Sequence, residues 1–370
     1  MSVSKEIFSN DVNSVSNGEN NISVESLAQQ WAKKYLQSLH IDPSQQKNSP
    51  VSDLSEISSS AGREKTATKI RESLRSISAK AWNKTEILLS AEVKQHGIDY
   101  NLINPWDIAA DSFRIYEKVL SVYTDTEALR ASEVINMTES DCCDEQKLLD
   151  YAEKVAPNQL ATVVGSEISA IRKKYTNADP RVIGFVSMQF HYTSQMLIQL
   201  VEPVEQSLIS AYFKVIDDHL YMPLQRAYEA AAKHNYNSPV LSAVQQLLPV
   251  STQIAKNISQ RVIELFPAYS TMSGKLSDPV VKISSIRDVE MFQVYLWVCA
   301  LEGSIAAIQQ ELFPLCVMLY PTLKVQWEMV RQMLHLLRYE ISDRLTPQQT
   351  NSLMPYFQAL SQMFSSEILH

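Results

Sequence analysis

Glycine is scarce in this chain, with seven residues in 370. An all-β protein needs turn punctuation about every ten residues, and that punctuation is missing, while helix formers such as Ala, Leu, Gln and Glu are plentiful. The expectation is an all-α protein. So few glycines also leave no loop suited to cradling phosphate, and neither a Walker A nor a G-x-G-x-x-G pattern occurs. Long apolar runs are absent too: none reaches the roughly 18 to 20 residues that span a bilayer. The opening MSVSKEIFSNDVNS has no positive stretch leading into an apolar one. The chain reads as soluble and cytoplasmic.

Cysteine is limited to Cys142, Cys143, Cys299 and Cys316, in neither a disulfide framework nor a zinc spacing. The neighbours Asp141 and Asp144 raise the thiol pKa values of the first pair and make them unreactive. A net charge of −8 with no dense Lys/Arg stripe argues against nucleic acid as the main partner. G-x-S-x-G and H-E-x-x-H are also absent, and no nucleophile–base pair or metal set can be assembled, so no enzyme is expected. Asp217-Asp218-His219 reads as a solvated helix face rather than a metal cluster, because consecutive helical residues diverge. His191, in the apolar stretch RVIGFVSMQFHYTSQMLIQLVEP, reads as a core histidine satisfied by a hydrogen bond.

What is present is helical pattern in three zones. Residues 1–62 are mostly a polar tail of disordered composition, interrupted by an amphipathic helix at 23–39 whose Leu27, Ala28, Trp31, Ala32, Tyr35, Leu36 and Leu39 share a face. That helix either docks in a partner's groove or packs back on its own chain. A helical domain follows at 63–203, with helices predicted at 65–94, 104–123, 144–155, 158–175 and 181–201. The last zone, 204–370, predicts helices at 204–220, 222–234, 239–266, 281–302, 304–320, 322–341 and 346–368.

One stretch of that zone, SSIRDVEMFQVYLWVCALEG at 284–303, is nearly all apolar yet carries Arg287 and Asp288 side by side. From Asp288 the helical spacing leads to Phe292, Tyr295 and Cys299; from Arg287 it leads to Met291, Val294 and Val298. Both charges head inward-facing rows. Adjacent residues point about 100° apart on a helix and neutralise each other poorly, so their partners must come from elsewhere. Two readings stand. Ser285-x-x-Asp288 resembles a capping box that starts a helix at 286, or the helix starts near Val281 and the two charges line a pocket.

This stretch resembles the central helix of the phycobiliproteins, the globin-like light-harvesting subunits of phycobilisomes, in which Cys-x-Arg-Asp is followed by aromatics and a glycine. Arg287, Asp288, Tyr295, Gly303, Tyr320 and Leu323 fall at the family's spacings, as do Tyr221, Leu241, Ala243, Leu247, Ile254 and Lys256 upstream. The likeness covers about 204–370, and it implies a C-terminal globin-like domain of phycobiliprotein type, pairing through its N-terminal helices so that 181–201 and 204–234 form a mating surface. In the family the cysteine two residues before the arginine bonds the bilin, the aspartate accepts pyrrole N–H groups and the arginine pairs with a propionate. Here Ser285 holds the cysteine position, so covalent pigment is not expected, and Arg287, Asp288 and Tyr295 remain as a candidate non-covalent bilin pocket.

The resemblance therefore implies a phycobilisome- or photosynthesis-associated accessory protein without a cofactor. Its partners would be phycobilisome, photosystem or assembly components, in a homo- or hetero-oligomer, at the cytoplasmic face of the thylakoid membrane. A sensor binding a bilin or other tetrapyrrole without a covalent bond, or a plain helical scaffold, are the alternatives.

Overall fold

The computed structural model describes residues 27–35, 56–125 and 157–369. The helix expected at 144–155, together with Cys142 and Cys143, lies outside them. Helix α1 covers 27–35, α2 Ser60–Gln95, α3 Pro105–Tyr123, α4 Pro157–Thr176, α5 Ile183–Ile198 and α6 Pro203–Tyr221. The C-terminal series is α7 Leu224–Ala231, α8 Pro239–Leu247, α9 Ser251–Leu265, α10 Pro279–Glu302, α11 Phe313–Thr322, α12 Trp327–Arg344 and α13 Pro347–Met363. Among the described residues the strands are a two-residue antiparallel ladder, Ser270–Thr271 against Gly274–Lys275.

Several of these starts follow one rule. A residue able to cap stands before a proline, whose missing N–H costs nothing in the first turn. Asn104 caps the Trp106 N–H ahead of α3, Ser238 the Leu241 N–H ahead of α8, and Thr346 forms a capping box with Gln349 ahead of α13. The sequence placed helices at these positions. It missed three details, each with a local cause. α2 begins at Ser60, inside the stretch expected to be tail, because the Ser59 hydroxyl accepts the Gly62 N–H. The helix expected over 239–266 breaks at a 3-10 turn, Leu248–Val250, where Pro249 removes a donor. α12 starts at Trp327 because Lys324 takes a left-handed conformation at φ 55° and ends the preceding helix.

α10 is the central rod, buried on every side from Val289 to Leu301. It lies against α9, α7 and α13, and it ends at Gly303, whose φ of 65° suits a residue without Cβ while the Ser304 N–H closes on the Cys299 carbonyl. The N-terminal helices are not a detached unit. α5 lies chiefly against α2 and also against α6, and α4 lies along α6. One continuous apolar core runs from Leu27 through Phe190, Phe213 and Trp297 to Phe364. The segments expected to mate with a partner, 181–201 and 204–234, are thus largely covered within the chain. Phe185, Phe190, Ile209, Phe213 and Ile216 are all buried. α1 also packs back on its own chain, burying Leu27, Trp31, Ala32 and Tyr35.

Candidate functional site

The site is built on the first half of α10. Pro279 stands at its first position and Asp278 at its N-cap, which puts Arg287 and Asp288 well inside the helix. Ser285 is not a cap: its hydroxyl donates to the Val281 carbonyl one turn back, at 2.9 Å. The capping-box reading therefore falls, and the longer helix stands.

The partners of the two charges come from distant parts of the chain. Tyr221, at the end of α6, donates its hydroxyl to Asp288 Oδ1 at 3.0 Å, while its ring lies 4.3 Å beneath the Arg287 guanidinium. One tyrosine serves both charges. Tyr320 of α11 reaches Asp288 Oδ2 at 3.4 Å, and Arg287 Nη1 lies 3.4 Å from His191 Nδ1. Among the described residues Arg287 Nε is buried with no hydrogen-bond partner. Burial pushes the Asp288 carboxyl up, with Arg287 and the two tyrosine hydroxyls pulling against it. Burial works against the Arg287 charge as well, but Tyr221 and Asp288 outweigh it and raise its pKa.

Beside Ser285 and Asp288 opens an apolar cleft of about 80 Å³, walled by Val289, Tyr320, Met329 and Met333. Sites for drug-sized ligands run to roughly 300–1,000 Å³. Each Asp288 oxygen accepts one tyrosine hydroxyl, from Tyr221 and from Tyr320, and the Ser285 hydroxyl donates within its own helix.

Tyr295 shares the helical row of Asp288 but belongs to a different cluster. Its hydroxyl meets Arg172 Nη2 at 2.5 Å and Glu311 Oε2 at 3.4 Å. Arg172, buried on α4, also donates to the Leu220 and Tyr221 carbonyls and pairs with Glu311 at 3.0 Å. Arg226 grips Glu302 with two N–H groups at 2.6 and 2.7 Å and touches Glu311 at 2.5 Å. These groups wall a polar cleft of about 550 Å³ between α4, α7 and the end of α10. No local pattern announces them, since every pairing is long-range. The one irregularity nearby, the π-helical turn Ile308–Leu312 that carries Glu311, has no signature of its own in the sequence.

The Asp217-Asp218-His219 triplet corrects the expectation of a solvated face. Asp218 and His219 are both buried. Asp218 pairs with Lys214 at 2.9 Å, and the His219 Nδ1–H donates to the Val215 carbonyl at 2.9 Å. Burial pulls the His219 imidazole down to about 4. Asp217 stays half-buried, 3.8 Å from His191. Among the described residues no three His, Cys, Asp or Glu side chains are grouped to hold a metal. Cys299 and Cys316 are buried free thiols, raised in pKa by burial first of all.

Residues 221–363 match the model of a family described as phycobilisome protein. No curated protein and no solved structure matches the chain. The C-terminal half thus carries a globin-like, all-α domain of phycobilisome type. The match begins at Tyr221 and includes Ser285, Arg287, Asp288, Tyr295 and Tyr320. Arg172, His191 and Lys214, which contact that machinery or its neighbours, all lie outside it. No described helix is long and apolar enough to cross a membrane.

Proposed function

We propose that this chain is a non-enzymatic accessory protein of the phycobilisome, which uses its phycobilisome-type domain for docking or assembly and carries no pigment. The observation behind this reading is the family match at 221–363 together with Ser285, whose hydroxyl is bonded within its helix where the resemblance calls for a thiol. The Tyr221–Asp288–Tyr320 contacts and the 80 Å³ cleft support a pocket that has become part of the fold. Because α5 and α6 are covered within the chain, docking falls to other surfaces, among them the exposed Val280 and Ile283 at the start of α10 and Tyr236 after α7. In this reading the protein works beside its partner at the cytoplasmic face of the thylakoid membrane.

Density-gradient sedimentation with intact phycobilisomes tests the proposal. The purified protein, colourless alone, is expected to travel with the phycobilisome band. A protein that stays at the top of the gradient with whole phycobilisomes and with their dissociated subunits would remove the reading.

A further inference from the structure

α1 is bound as a ligand is bound. Its described residues, 27–35, are helical throughout. They occupy a trough between α6, α9 and α10. Two aromatic anchors fill that trough. Trp31 meets Trp297 of α10 edge-on, with ring centroids 6.3 Å apart, and donates its Nε1–H to the Tyr35 hydroxyl at 2.8 Å. Between them Lys34, its ammonium 3.6 Å over the Trp31 ring, reaches Glu290 Oε1 at 2.8 Å and the Ser251 hydroxyl at 2.6 Å.

A buried ion pair that loses one member usually leaves the other unpaired. This trough is arranged otherwise. Glu290 also accepts the Thr252 hydroxyl at 2.5 Å and lies 3.8 Å from Lys214, which itself holds Asp218 at 2.9 Å. With α1 out, both carboxylates keep a cation nearby, and the floor becomes an acidic, aromatic groove complementary to a helix with Lys one turn beyond Trp. Packing under α1 is also incomplete. A space of about 120 Å³ remains between Trp31, Lys34 and Tyr35 on one side and Lys214, Asp218 and Thr252 on the other.

We propose that this trough is a helix-docking site filled by the chain's own α1, and that it accepts in trans the α1 of a second copy, so that chains exchange this helix. The exchange is a domain swap, in which the same contacts form between copies instead of within one. It is independent of the phycobilisome reading.

The probe is a labelled peptide of residues 23–39, SVESLAQQWAKKYLQSL, added to the full-length protein and followed by fluorescence anisotropy. Trp31→Ala removes an anchor from the resident helix, so this variant is expected to bind the peptide about ten-fold more tightly than wild type does. Adding Glu290→Gln to that variant should cancel the gain. A Trp31→Ala protein with a wild-type circular dichroism spectrum and no saturable binding would overturn the proposal. Should that variant not fold, hydrogen exchange on wild type decides. Amides of 27–35 about ten-fold or more less protected than those of 289–301 support a separately opening helix; equal protection overturns it.

Discussion

His219 and Gly165 show how closely single residues are fitted. A Cβ at Gly165 would sit 3.0 Å from His219 Nε2, so α4 approaches α6 there only because the side chain is absent. Gly165→Ala is expected to cost about 1–3 kcal/mol, measured by urea unfolding, since the imidazole must shift within a packed core. The histidine also gives the fold a pH dependence. Its pKa is about 4 when folded against a reference value of 6.5, so below pH 6.5 the unfolded chain takes up a proton that the folded one refuses. Its contribution is complete above that range and is lost as the pH falls toward 4. At pH 5 the loss amounts to about 2 kcal/mol, and denaturant titrations of His219→Gln should vary less between pH 7 and pH 5 than those of wild type. The Arg287–Asp288 couplet makes a third residue-scale prediction. Tyr221→Phe takes away the shorter contact to the carboxylate and should destabilise by about 1–3 kcal/mol, more than Tyr320→Phe.

At the scale of elements, the helices were legible where the chain announces them locally. Capping residues before Pro105, Pro239 and Pro347, and the i, i+4, i+7 row from Asp288 through Phe292 and Tyr295, are short-range signals that burial did not alter. The inward aspect of Asp288 was legible for the same reason. What pairs with it was not, because Tyr221 and Tyr320 arrive from α6 and α11, and spacing along one helix says nothing of its neighbours. Asp218 and His219 were misread for the related reason that α1 and α4 cover a face that looks polar in one dimension. Arg172 is the extreme case. An unremarkable residue of α4, it joins α6, α10 and the turn holding Glu311 in one buried network. Arg172→Ala leaves the Tyr295 hydroxyl and two carbonyls without this donor, and is expected to lower stability by about 3 kcal/mol or more. Thermal unfolding followed by circular dichroism checks it.

For the whole molecule, a phycobilisome-type half is enclosed by helices lying outside the family match, and the two share one core. A fragment of residues 204–370 would expose Ile209, Phe213 and Ile216, which α4 and α5 help cover. It should bind a hydrophobic dye and unfold without a sharp transition, whereas the full chain keeps its core in one cooperative step. The proposed function adds that this domain serves contact and carries no pigment. Titration of the purified full-length protein with a linear tetrapyrrole, read by visible absorbance, tests that most directly. The account predicts a spectrum equal to that of the free pigment, with or without Asp288→Ala; a red-shifted, intensified band that the substitution abolishes would contradict it.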